Sequence, residues 1–134
     1  MKNVRLLCFH GVIHNSKNEK RGGNMNINIV VEEIGATIQV FVSGEIDAFT
    51  APQLREMVMP YAQRESISLI VDISDVSFID STGLGVIVAL FKSVRVHDGH
   101  FEIVGLSNRI KRLFEITGLI NIIDINSETK GGVQ

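Results

Sequence analysis

The chain has 134 residues, of which 45% are apolar and 21% charged, a composition typical of a soluble globular protein with a single hydrophobic core. Its longest apolar stretch, Leu84 to Phe91, is far shorter than the ~20 residues that a membrane span requires. The single cysteine, Cys8, excludes an intramolecular disulfide, and no Cys/His pair has the spacing of zinc ligands, so we expect a cytoplasmic protein without a metal site.

Charge is distributed unevenly along the chain. Residues 1–24 carry a net charge of +4, whereas the remainder carries 8 basic and 14 acidic side chains, a net of −6. Phosphate binding relies on clustered Lys and Arg, so an acidic body disfavours a nucleic-acid partner and favours a protein partner.

The first 24 residues show no sustained hydrophobic period, and we expect them to form a disordered N-terminal extension. The apolar run at 6–9 is shorter than the ~7 to 15 residues of a secretory signal core. A further reading is that translation begins at Met25, because residues 20–23 can be encoded by a purine-rich run of the kind found in bacterial ribosome-binding sites.

A strand pair is predicted next. Apolar residues alternate with their neighbours from Ile27 to Val31 and again from Ile38 to Val42, and the intervening turn falls near Gly35.

The first helix follows a short loop. Thr50 is the predicted N-cap, Pro52 lies in the first turn, and Gln53 is the predicted capping-box partner of Thr50. Pro60 removes a helical hydrogen bond, so we expect the helix to kink or end near Met59.

The central stretch of the chain is a strand at 69–73 followed by a helix, with Ser81 between them. The helix is predicted from apolar residues at helical spacing: Leu84, Ile87, Val88, Phe91 and Val94. Ser at this junction commonly acts as an N-cap. Its hydroxyl would also lie beside free amides and the positive end of the helix dipole, where a phosphate could be accommodated, so Ser81 is a candidate switch as well as a candidate cap. Gly83 and Gly85 would leave room for another protein to approach this hydroxyl.

The remaining pattern completes an α/β fold. A strand is predicted at 101–104, then a helix capped by Ser107 and ended by Gly118, then a strand from Asn121 to Ile125. The order β-β-α-β-α-β-α-β predicts a mixed, largely parallel sheet packed against helices.

Enzyme chemistry has little support in the sequence. Residues 79–83 lack the glycine two positions before the Ser that a nucleophile elbow needs, and 83–85 lack the spacing and the Lys of a P-loop. Several carboxylates near strand ends could form a metal or acid/base site, although solvated loop acids are the commoner case. They are Glu45, Asp47, Asp72, Asp75 and Asp80.

Three separated motifs resemble the anti-sigma factor antagonists of the STAS domain family. They are Gly44-Glu45-Ile46-Asp47, residues 76–85 (VSFIDSTGLG) and residues 112–119 (RLFEITGL). The likeness covers residues 25–130, with 131–134 as a polar tail, and it is greatest to the branch serving the general-stress sigma-B pathway. The leader at 1–24 departs from the family.

The resemblance implies a partner switch without a cofactor. In this family the unmodified antagonist binds an anti-sigma factor that is also a serine kinase, which frees the sigma factor. The kinase uses ATP to phosphorylate the first hydroxyl of the motif, here Ser81, and a PP2C-type phosphatase reverses the reaction; the antagonist itself is not an enzyme. The implied partner-binding residues are Asp47, Asp80, Ser81, Thr82, Gly83, Leu84 and Gly85.

Other functions remain open at the level of sequence. The domain could serve as a scaffold or nucleotide-binding subunit of a stress-sensing complex, or as a sporulation-type antagonist. A small hydrolase using Ser81 is a third alternative.

Overall fold

The structure is a computed structural model that describes residues 4–10 and 27–126. Its described part is one six-stranded sheet with three α-helices and a short 3-10 helix. The strands are β1 (Val4–His10), β2 (Ile27–Ile34), β3 (Thr37–Ile46), β4 (Ser68–Ile79), β5 (His100–Val104) and β6 (Asp124–Asn126). The helices are α1 (Ala51–Ala62), α2 (Ser81–Val96), α3 (Asn108–Thr117) and the 3-10 helix Leu119–Asn121.

The strands lie in the sheet in chain order, from β1 at one edge to β6 at the other. The pairs β1–β2 and β2–β3 are antiparallel, and the three pairs from β3 to β6 are parallel. Parallel crossovers are right-handed, and here all three advance in the same direction, so α1, α2 and α3 pack on the same face of the sheet. The core lies between that face and the helices, and includes the fully buried Ile29, Val40, Leu69, Ile87 and Phe114.

The predicted fold class is confirmed, since strands and helices follow in the predicted order after β1. The leader differs from the prediction. Val4–His10 pair with β2 from Val4↔Ile34 to His10↔Asn28, so the expectation of a disordered extension is wrong for these seven residues. Residues 11–24 and the tail at 131–134 lie outside the described residues, and a start at Met25 stays a prediction.

The first helix does not end near Met59, which was one of the two predicted alternatives. It continues past Pro60 and ends at Ala62, because the buried side chains of Val58, Tyr61 and Ala62 still pack into the core beyond the missing hydrogen bond.

The last strand begins later than predicted. Gly118 adopts a left-handed conformation with φ 81°, and the Asn121 amide donates to the Gly118 carbonyl at 3.1 Å in the 3-10 turn. These backbone groups are therefore not free to pair in the sheet, and β6 starts at Asp124 rather than Asn121.

Candidate functional site

The candidate site lies where two parallel strands end side by side. Ile46 of β3 pairs in register with Ile79 of β4, and each is followed directly by an aspartate, Asp47 or Asp80. The Asp80 amide donates to the Ile46 carbonyl at 3.1 Å. Asp47 and Asp80, which are 33 residues apart in the chain, are thereby brought together at the carboxyl ends of the two central strands.

A buried threonine shapes the loop that carries Asp47. The Thr50 side chain is fully buried; its Oγ1 donates to the Glu45 carbonyl at 2.7 Å and accepts from the Asp47 amide at 2.9 Å. The Asp47 Oδ1 in turn accepts from the amides of Phe49 and Thr50 at 2.9 and 3.1 Å. These bonds close a tight loop and leave Phe49 62% exposed next to the site.

The capping box predicted for α1 is wrong. Thr50 holds the N-cap position, but its side chain makes no capping hydrogen bond, because the hydroxyl is already bonded to Glu45 and Asp47. The capping pattern in the sequence did not predict this role. The short spacing from Asp47 to Thr50, which lets the two groups bond within one turn, is the signal that could have indicated it.

Asp80, not Ser81, caps the central helix. Asp80 has an extended backbone, and its Oδ1 accepts from the Gly83 amide at 3.0 Å. Ser81 is therefore the first helical residue; it is exposed, and its hydroxyl makes no hydrogen bond within the part of the chain that the structure describes. The capping role considered for Ser81 is wrong, and the hydroxyl is left at the surface.

The two glycines after Ser81 differ from each other. A Cβ on Gly85 would meet nothing within 4 Å, and Gly85 is exposed. Gly85 therefore leaves room for another protein to approach the Ser81 hydroxyl, as predicted. Gly83 is buried, and a Cβ there would lie 2.7 Å from both the Cγ2 and the carbonyl oxygen of Ile46. Its small size lets α2 pack against the end of β3, so Gly83 does not belong to the predicted contact surface.

The other predicted residues lie at or near the surface. Thr82 is exposed, while Leu84, Asp47 and Asp80 are half-buried. The amides of Ser81 and Thr82 belong to the first turn of α2, where no residue of the helix can accept from them. Among the described residues, the site therefore combines an exposed hydroxyl, two first-turn amides without a hydrogen-bond acceptor, and two carboxylates.

Within residues 27–126, the two histidines that could activate Ser81 as a nucleophile are distant from it. His97 and His100 follow the far end of α2, which has 16 residues and is about 24 Å long at 1.5 Å per residue. Within the described residues, no three His, Cys, Asp or Glu side chains come together as a group that could hold a metal ion. Of the carboxylates considered as a metal or acid/base site, Glu45, Asp72 and Asp75 lie within β3 and β4, whereas Asp47 and Asp80 follow the ends of these strands. Asp72, for example, accepts from the Ser74 amide at 2.9 Å.

Among the helices in the described ranges, none is long and apolar enough to cross a membrane.

Comparison with known proteins agrees with this geometry. The STAS domain model matches residues 28–131. The chain is 48% identical over 110 residues to the anti-sigma-B factor antagonist of Bacillus subtilis, covering 82% of this chain and 100% of the relative. It is 49% identical over 104 residues to the anti-sigma-B factor antagonist of Listeria monocytogenes, covering 77% and 91% of the two chains.

A solved structure of the same fold is also similar. The crystal structure of an anti-sigma factor antagonist from Mycobacterium paratuberculosis superimposes with a TM-score of 0.71 at 28% identity, covering 81% of this chain and 92% of the other. The extent of these matches places all three motifs inside the shared region. The chain belongs to the STAS domain family and, within it, to the group of the anti-sigma-B factor antagonists.

Proposed function

We propose that the chain, when unphosphorylated, binds an anti-sigma factor and so frees the sigma factor held by that protein. The anti-sigma factor acts as a serine kinase: the Ser81 Oγ attacks the γ-phosphoryl group of ATP, ADP leaves, and the hydroxyl proton is lost. The phosphorylated chain no longer binds. A PP2C-type phosphatase hydrolyses the phosphoserine and restores the binding form.

The observation that carries this proposal is the hydroxyl of Ser81 at the first position of α2, which is exposed and has no hydrogen-bond partner in the described ranges 4–10 and 27–126. Because Asp80 supplies the cap, Ser81 can be modified without removing a hydrogen bond that the helix start depends on. A kinase active site can therefore reach the hydroxyl while the fold stays intact.

The electrostatic setting explains why phosphorylation would act as a switch. A phosphoserine carries about 1.5 to 2 negative charges, and it would lie beside Asp80 and near Asp47. Burying that charge against a partner that lacks matching cations carries a large desolvation cost. A loss of about 4 kcal/mol corresponds to a roughly thousandfold weaker complex, which is sufficient for on/off control.

The names of the relatives favour the sigma-B branch over the sporulation branch. Both curated relatives are called anti-sigma-B factor antagonists and are nearly half identical to this chain. A scaffold or nucleotide-binding role is not favoured by any described feature of the site, and neither is hydrolysis, given the distance of His97 and His100.

The proposal is tested with the wild-type chain, Ser81→Ala and Ser81→Asp, each mixed with the anti-sigma-B factor of a relative and ATP. We expect the wild type to gain one phosphate on Ser81, located by peptide mass spectrometry. Ser81→Ala should bind the partner with a Kd within about threefold of the wild type and take up no phosphate. Ser81→Asp should bind at least about tenfold more weakly, because it carries part of the phosphate charge.

Thr82→Val is the matched control, since it removes the neighbouring exposed hydroxyl. Phosphate uptake by Ser81→Ala at the wild-type level, or its loss in Thr82→Val alone, would assign the modification to another residue. Failure of the unmodified chain to bind any anti-sigma factor would overturn the proposed function.

A further inference from the structure

An apolar groove lies beside the candidate site, between the end of β4 and helix α3. It has a volume of about 340 Å³, at the lower end of the range of ~300 to 1,000 Å³ found for ligand-binding clefts. Ile79 and Ile110 are almost fully buried and form its floor. Its walls are Phe78, Leu113 and Ile116.

Two large apolar side chains in the walls of the groove are exposed to solvent. Phe78 is 44% exposed and Ile116 is 74% exposed, although both are large side chains in regular elements. Apolar surface of this kind, rimmed by polar groups, is typical of a protein-interaction site.

Two arginines form the rim. Arg109, Arg112, Leu113 and Ile116 are spaced i, i+3, i+4 and i+7 on α3, so the cations and the apolar side chains lie on one face of the helix. Both arginines are exposed, and neither has an ion-pair partner among the residues that the structure describes. Residues 25–134 carry a net negative charge, so the two arginines are a local site of positive charge on an acidic domain.

The groove lies close to Ser81. Ile79 on its floor precedes Ser81 by two residues, which places their Cα atoms within about 7 Å of each other. A protein bound over Ser81 would therefore lie close to the groove.

We propose that the groove is a second anchor for the anti-sigma factor: a segment of that partner inserts an apolar side chain between Phe78 and Ile116, and its flanking carboxylates pair with Arg109 and Arg112. This inference rests on the proposed function and adds the chemistry of the partner. The anchor supplies affinity that does not depend on Ser81. Phosphorylation of Ser81 adds negative charge close to the anchor and so opposes binding of the partner.

The apolar part is tested by Ile116→Ser, with Val96→Ser as the matched control. Val96 is 76% exposed at the far end of α2, so the two substitutions remove similar exposed surface and should leave the fold intact. Titration calorimetry with the anti-sigma factor should show Ile116→Ser binding about tenfold or more weakly, the effect of losing a buried anchor, while Val96→Ser binds as the wild type does.

The charged part is tested by Arg112→Glu, with Lys92→Glu as the control on α2. Lys92 is also exposed, so both variants change the net charge by the same amount. We expect Arg112→Glu to weaken binding about tenfold at low salt and by less at high salt, because exposed charges are screened, and Lys92→Glu to have a smaller effect at either salt concentration.

The outcomes separate this inference from the function it rests on. If Ile116→Ser and Arg112→Glu bind normally while Ser81→Asp does not, the groove is not an anchor and the proposed function stands. If no variant of the chain, including the wild type, binds the anti-sigma factor, the proposed function fails as well. A concentration-dependent dimer of the wild type that Ile116→Ser abolishes in sedimentation equilibrium would assign the groove to a second copy of the chain and overturn the anchor.

Discussion

Thr50 shows how one buried side chain sets the geometry of the site. Its hydroxyl bonds to the Glu45 carbonyl and the Asp47 amide, and no other polar side chain is fully buried in the part of the chain described by the structure. These two bonds hold the loop that presents Asp47 and Phe49 beside Ser81, so Thr50 positions the site without lying on its surface.

Thr50→Val is therefore expected to lower the free energy of unfolding by about 1 to 3 kcal/mol, because the two backbone groups lose their buried partner. Urea denaturation measures this loss. Thr37→Val is the control, since Thr37 is half-buried and its hydroxyl has no hydrogen bond in the described residues. Equal stability of the two variants would show that the Thr50 bonds do not hold the loop.

At the scale of the element, helix α2 is positioned by how its first turn packs. Asp80 caps the turn, and Gly83 allows it to approach Ile46 of β3 closely. Asp80 directly precedes Ser81 and Gly83 lies two residues after it, so these contacts fix the backbone around Ser81 while its side chain stays exposed. The start of the helix is thus packed closely against β3 on one side and exposed to solvent on the other.

Gly83→Ala and Gly85→Ala should change stability in opposite directions. The methyl group at position 83 would lie 2.7 Å from the Ile46 backbone oxygen, so we expect a loss of about 1 to 3 kcal/mol from overpacking. At position 85 the methyl group meets open space, and the better helix propensity of Ala should add up to ~1 kcal/mol. Urea denaturation midpoints of both variants provide the comparison, and destabilisation by both would contradict the open position assigned to Gly85.

At the scale of the whole molecule, the leader strand and the candidate site are separate. β1 lies at the edge of the sheet, three strand positions from β4, or about 14 Å at the usual strand spacing. The region matched by the family model begins at residue 28, and the Bacillus subtilis relative is covered in full by 110 residues of this chain. The shared fold therefore does not depend on β1.

A variant that begins at Met25 should fold cooperatively and bind the anti-sigma factor with a Kd within about twofold of the full chain, because the site and all the core residues whose burial is described lie in residues 27–123. Circular dichroism during thermal unfolding, together with calorimetry, tests both statements. Loss of cooperative unfolding would mean that β1 is part of the folding unit rather than an addition to its edge.

Local pattern in the sequence determined much of the architecture. Alternating and helical periods located β2 to β5 and all three α-helices, because each burial face repeats at the period of its own element. The motif around Ser81 was also recognisable, since it combines a buried strand, an acidic residue and a helix start within a few residues. The family resemblance carried by three motifs was confirmed by the comparisons.

Tertiary structure decided which role each residue of the site has. The sequence could not distinguish Ser81 from Asp80 as the cap, because both are good N-cap residues and the choice depends on where the backbone leaves β4. It could not assign Gly83 to packing and Gly85 to solvent, because the difference lies in contact with Ile46 on another strand. Nor could it place β1 beside β2 or form the groove at Phe78 and Ile116, because these features arise only when segments distant in the chain become neighbours in the sheet.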